Sequence, residues 1–188
     1  MSEAIEQWAL ISGADGTEKS SAVLRVVRAL AARGLTLGGV AKEAVSVDGE
    51  RAYRARRIGG NADELLLLGG QRAPLAAAEP MSFCSVQFDR GAFEQAGDWI
   101  RQAARQADVV VIDEVSRLEV ARAGYHDAIC DALREQAIVL LAVRADQLFQ
   151  VTERFGLGEA MATLDAGDAA GVEGFVAQLA RAARDRRA

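Results

Sequence analysis

The sequence predicts an α/β fold in three layers, a mostly parallel sheet with helices on both faces and an added β-hairpin. Three observations lead there. Short apolar runs alternate along the 188 residues with longer segments whose apolar positions recur at helical spacing. One run, Val109-Val110-Val111-Ile112, is a continuous β-branched stretch of the kind that parallel sheets bury on both sides. The dipeptide Asp48-Gly49, between runs carrying Val45, Val47, Tyr53 and Ile58, is the strongest short hairpin signal in the chain. Strands alternating with helices join by right-handed crossovers, which place helices on both faces.

Taken in order, residues 7–12 (Trp8, Ala9, Leu10 and Ile11) read as a buried first strand ending at Gly13. A glycine-punctuated loop follows, then a helix over 19–33 with Ala22, Val23, Val26, Val27 and Leu30 on one face and Gly34 as its stop. Residues 36–40 form a second strand and 43–58 the hairpin. Strands at 63–68 and 83–88 flank a surface loop around Pro74 and Pro80. A helix over 93–106 leads into the strand at 109–112. A helix over 118–135, a strand over 137–143, a short helix over 147–155, a strand over 160–164 and a helix over 174–187 complete the chain. The basic end of the last helix suits the negative pole of its dipole.

Composition bounds the function. A chain of this length with 51% hydrophobic residues builds one buried core, so residues 1–188 are expected to form a single domain. Its net charge of -5 gives no support to a general nucleic-acid-binding surface. No apolar run approaches the length needed to span a bilayer, and the first seven residues are polar and acidic, so a cytoplasmic location is expected. Cys84 and Cys130 have neither metal-ligand nor disulfide-framework spacing and read as core thiols. Of the 22 basic side chains only two, Lys19 and Lys42, are lysines.

The chemistry is carried by two segments at the carboxyl ends of predicted strands, where ligands bind in such sheets. Gly13-Ala14-Asp15-Gly16-Thr17-Glu18-Lys19-Ser20 lies between strand and helix and follows the phosphate-loop (Walker A) pattern at Gly13, Lys19 and Ser20. Residues 13–20 with Ser21 are the predicted nucleotide-binding set. Lys19 would reach the terminal phosphates, and the Ser20 hydroxyl would ligate Mg²⁺. Glu18 departs from the pattern, standing where glycine lets backbone amides close around a phosphate. It adds a negative charge there, and a positive φ would add about 1 kcal/mol of strain. The placement of Lys19 in an arginine-writing chain favours function over an ordinary turn. Downstream, Asp113-Glu114 ends the strand at 109–112 as a Walker B pair, with Asp113 on the metal and Glu114 orienting or deprotonating the attacking water.

Weaker candidates remain open between two readings. Glu119 either faces the site or is a solvated helix N-terminal acid. Arg117 and Arg144 either stabilise transferred charge or lie on the surface. Arg54, Arg56 and Arg57 read as a solvated face and His126 as structural.

The order of these signals resembles the small P-loop nucleoside-triphosphatases first described from hyperthermophiles and found in humans as the cancer-related type. The resemblance rests on the phosphate loop, on Gly39-Val40-Ala41-Lys42-Glu43 with Arg56, on Ala92-Phe93-Glu94, and on Asp113-Glu114-Val115-Ser116-Arg117-Leu118-Glu119. It implies a RecA-like P-loop NTPase sheet and Mg²⁺-dependent hydrolysis of ATP, GTP and related nucleotides. Roles for Lys19, Ser20, Asp113, Glu114 and Glu119 are implied with it. Ser116 and Arg117 replace the glycine and lysine that follow the family's acidic pair. Three functions are therefore expected in order: a nucleoside-triphosphatase slowed by a degenerate Walker A loop, a catalytically degenerate nucleotide-binding or regulatory protein, and a small-molecule kinase. The partner common to all is a nucleoside triphosphate.

Overall fold

The computed structural model describes residues 7–14, 16–60, 65–70, 80–83 and 86–186. Strand β1 (Trp8–Gly13) leads into helix α1 (Gly16–Ala32), and strands β2 (Leu37–Val47), β3 (Glu50–Ile58), β4 (Leu65–Gly70), β5 (Pro80–Phe83) and β6 (Val86–Asp89) follow. Next come α2 (Arg90–Gln106), β7 (Val109–Val115), α3 (Arg117–Val120), α4 (His126–Ala132) and β8 (Ile138–Arg144). A single 3₁₀ turn (Ala145–Gln147) then precedes α5 (Leu148–Phe155), β9 (Thr163–Asp165) and α6 (Val172–Asp185).

All the described strands lie in one sheet of order β5-β6-β4-β3-β2-β7-β8-β1-β9. The half from β2 to β9 is parallel, as predicted, and β7 runs through its interior between β2 and β8. Side-chain alternation explains the continuous apolar run. Val110 and Ile112 join the core beneath α2, α4 and α5, while Val109 and Val111 join the core beneath α1 and α6. Each fully buried Val, Leu or Ile contributes roughly 1.5–3 kcal/mol. The predicted face of α1 is the one buried, with Ala22, Val23, Val26 and Leu30 at 0% exposure.

The added hairpin is larger than expected. Strands β3, β4, β6 and β5 extend the sheet antiparallel, and the run at 36–40 and the first hairpin arm are one strand, β2. Along β2 the first four residues pair with β7 while residues 39–47 pair with β3, so a single strand welds the two halves. The turn is where the sequence puts it, with Asp48 and Gly49 at φ 52° and 81°, both left-handed as a two-residue hairpin requires.

Three segments differ from expectation. The helix expected over 118–135 is two helices, because Arg122 (φ 62°) and Gly124 (φ 60°) are left-handed and turn the chain between α3 and α4. Pro80 opens strand β5 rather than lying in a loop, and the run at 83–88 is split between β5 and β6. Residues 84–85, with Cys84, and 71–79, with Pro74, lie outside the described residues. Cys130 is half-buried against the core, and burial pushes its thiol pKa up.

One glycine fixes the weld. Gly39 has φ 116°, and a Cβ there would stand 2.1 Å from the Val111 carbonyl oxygen in the neighbouring strand. Gly39→Ala is expected to cost about 3 kcal/mol or more and to lower the thermal midpoint by at least ~5 °C, read by circular dichroism.

Candidate functional site

The parallel strands deliver Gly13 (β1), Asp113 and Glu114 (β7) and Arg144 (β8) to one edge of the sheet, where α1 also begins. A Cβ at Gly13 would lie 2.9 Å from the Ala166 Cβ and 3.5 Å from the Lys19 Cγ, so close packing demands glycine here. Helix α1 starts at Gly16, which makes Gly16, Thr17 and Glu18 helical in backbone; Asp15 lies outside the described residues. The left-handed strain considered for Glu18 is therefore absent. The first turn of this 17-residue helix, whose N–H groups have no intrahelical acceptor, offers an anion a positive pole. Lys19 is fully buried, and its Nζ donates to the Gly13 carbonyl at 3.3 Å. Ser20 is half-buried, whereas Ala14 and Ser21 are exposed.

Asp113 is 2% exposed. Its Oδ2 accepts the Lys42 backbone N–H at 3.0 Å, while Oδ1 has no hydrogen-bond partner among the described residues. Burial pushes its pKa up to about 6, against the pull of the Ser20 hydroxyl and the Lys42 amide. Glu114 is left-handed, at φ 64°, where the β7–β8 register shifts between Ile112 and Val115. A non-glycine residue held there stores roughly 1–2 kcal/mol, a cost typical of side chains that a fold aims at a ligand. The Glu114 carboxylate meets the Lys42 Nζ at 2.7 Å, and the same ammonium lies 3.9 Å from the centroid of the Tyr53 ring.

Lys42 thus grips both acids, one through its backbone and the other through its side chain. The sequence carried a signal for it, since it is one of only two lysines. A cavity of about 530 Å³ opens in front of the pair, walled by Tyr53, Phe88, Phe93 and Tyr125. Arg117 and Arg144 both line it; Arg144 is held by Asp146 at 3.0 and 3.1 Å, and Arg117 is exposed.

Glu119 is neither solvated nor idle. At 2% exposure it closes a capping box on α3, accepting the Ser116 N–H at 2.9 Å and the Tyr125 N–H at 3.3 Å. It thereby ties α3 to the start of α4. The His126 Nδ1–H donates to the Glu119 carbonyl at 2.8 Å, a structural role as expected. Arg57 is more than a solvated cation, for it donates to Gln102 at 2.8 Å and lies over the Trp99 ring.

Burial raises the Glu119 pKa from 4.5 to about 7. A carboxyl whose folded pKa is raised holds a proton that the unfolded chain has already lost, so between about pH 4.5 and 7 this group's contribution to stability falls as pH rises. Glu119→Gln is expected to flatten the dependence of thermal midpoint on pH across that window, as differential scanning fluorimetry at half-unit steps would show. An unchanged slope would contradict the assignment.

Among the described residues, no cluster of three or more His, Cys, Asp or Glu is placed to hold a metal, and no helix is long and apolar enough to cross a membrane. No curated protein matches the chain in sequence. In structure it is similar to THEP1 from the hyperthermophile Aquifex aeolicus, with a TM-score of 0.68 at 17% identity over 92% of this chain and 98% of that one. It is similar as well to a human cancer-related nucleoside triphosphatase, with a TM-score of 0.66 at 16% identity over 96% and 98%. These likenesses establish the α/β P-loop NTPase fold. A family model described as NTPase matches residues 9–164, and the chain belongs to that nucleotide-binding family.

Proposed function

We propose that residues 1–188 act as one domain that hydrolyses nucleoside triphosphates, ATP or GTP, to the diphosphate and phosphate in a Mg²⁺-dependent reaction. The observation that carries this reading is the buried Asp113 carboxylate, whose Oδ1 has no hydrogen-bond partner among the described residues, beside Ser20 and next to Glu114. A hard oxygen pair with an unfilled lone-pair direction suits a hard divalent cation, which often takes only one or two protein ligands in phosphate sites. Ser20 and Asp113 would hold Mg²⁺, and when bound it neutralises charge on the phosphate oxygens.

The residues of the chain do the rest. Residues 13–18 and Ser21, the segment from Gly13 through Ala14, Asp15, Gly16, Thr17 and Glu18, are the proposed phosphate-binding set, acting chiefly through amides at the start of α1, and Lys19 supplies a fixed positive charge. Glu114 accepts a proton from water as that water attacks the terminal phosphorus.

Phosphate release from ATP and GTP, measured with Mg²⁺ and after chelation, tests the proposal. Release abolished by chelation is expected; none above a buffer blank would refute hydrolysis. Glu18→Gly removes a negative charge from the segment that would bind phosphate and is expected to tighten nucleotide binding about tenfold by titration calorimetry. Binding without turnover in both proteins would favour the degenerate, regulatory reading, which Glu18 itself supports.

A further inference from the structure

Water as the sole nucleophile needs little room. The cavity before Glu114 has a volume of about 530 Å³, whereas one water takes about 30 Å³ of liquid. Its walls are chemically selective as well. Both tyrosines of the chain and two of its six phenylalanines line it. Phe88 and Phe93 pack edge to face at 5.6 Å, and Phe93 and Tyr125 lie 4.9 Å apart. Such rings present faces and edges for a planar ligand. Gln147 also lines the cavity at 7% exposure, with its Oε1 lacking a partner among the described residues. A buried carbonyl of this kind costs free energy until an N–H donor meets it.

The position of the cavity says which ligand it takes. Along β7, Val109 and Val111 face α1 and α6, whereas Val110 and Ile112 face α2 and α4. Ser20 of α1 adjoins Asp113, while the cavity draws Phe93 from α2 and Tyr125 from the start of α4. A nucleotide whose phosphates enter at α1 and whose reacting end reaches Glu114 keeps its own nucleoside away from this cavity. The occupant lies on the side from which a nucleophile attacks.

We propose that this cavity is an acceptor subsite for a nucleoside-like alcohol, with its planar ring among Tyr53, Phe93 and Tyr125, a ring N–H on the Gln147 Oε1, and its hydroxyl at Glu114. The proposal rests on the placement of the triphosphate given above. In the transfer, the hydroxyl oxygen bonds to the γ-phosphorus as the bond from that phosphorus to the β–γ bridging oxygen breaks. The hydroxyl proton passes to the Glu114 carboxylate, and the nucleoside diphosphate leaves with the electron pair. Water takes the same place when the subsite is empty.

The test uses the full chain with Mg²⁺ and ATP or GTP, offered adenosine, guanosine, cytidine and thymidine, with glycerol as a non-planar control. Products are separated by chromatography, and nucleoside binding is measured by calorimetry without triphosphate. We expect at least one nucleoside to bind and to appear phosphorylated, with glycerol inert. Gln147→Leu and, separately, Tyr53→Ala, a change outside the deep core, should each weaken that binding about tenfold. Phosphorylated nucleoside without free phosphate supports the subsite and overturns hydrolysis. Free phosphate with no nucleoside bound overturns the subsite and leaves hydrolysis standing. Competition between nucleoside and ATP for one site, or binding unchanged in both variants, also overturns it.

Discussion

Replacing Glu114 with glutamine is expected to lower the rate of phosphate release by about 10²–10³-fold while nucleotide affinity changes only a few-fold. Glutamine keeps the volume and one carbonyl oxygen but has no negative charge to receive a proton. Because Glu114 also meets Lys42 at 2.7 Å, the substitution removes an ion pair along with a base, and a second variant separates the two. Lys42→Met breaks the pair and leaves the carboxylate. If the base is what matters, that variant retains most of its turnover. Equal losses in the two single variants and in the double variant would instead mean that the pair acts as a unit. Single-turnover phosphate release in all three proteins decides the matter.

Replacing Lys19 with methionine should weaken triphosphate binding about 100-fold, with the diphosphate affected less. A buried ammonium against a phosphate contributes far more than an exposed one, since no solvent screens it. Methionine fills the space that the lysine stem occupies at 0% exposure, so the fold survives the change. Calorimetry with ATP and ADP measures both affinities. Equal binding by the variant and the parent would move the phosphate site away from α1.

Much of this architecture was legible in the residues. The runs buried on both faces, residues 8–11 of β1, 109–112 of β7 and 138–143 of β8, are apolar throughout, and their signal survives without any neighbour. Asp48-Gly49 specified its own turn because left-handed backbone is a local property. What escaped was decided by particular side-chain contacts, some a few residues apart and some across the chain. The break between α3 and α4 lies at the left-handed Arg122 and Gly124, and the Glu119 carboxylate accepts the Tyr125 N–H just beyond them, a contact that helical periodicity does not encode. The burial of Glu119 was hidden for the same reason. Lys42 reaches Asp113 across 71 residues of chain through the β2–β7 pairing; its scarcity as a residue type marked it, but nothing local said what it would hold. The four-stranded antiparallel extension was only partly visible, because β4 to β6 are short strands whose apolar runs are as compatible with loops.

The place of β1 in the sheet constrains the order of events during synthesis. The strand that ends in Gly13 is hydrogen-bonded on one side to β8 and on the other to β9, elements that leave the ribosome some 130 and 150 residues later. Until residue 144 has emerged the first strand has no partner, and until residue 166 is in place Gly13 lacks the neighbour against which it packs. The antiparallel half and the Asp113 strand are complete well before then. Nucleotide can therefore reach the nascent chain only as a late visitor, stabilising a sheet whose other strands are already made rather than nucleating one.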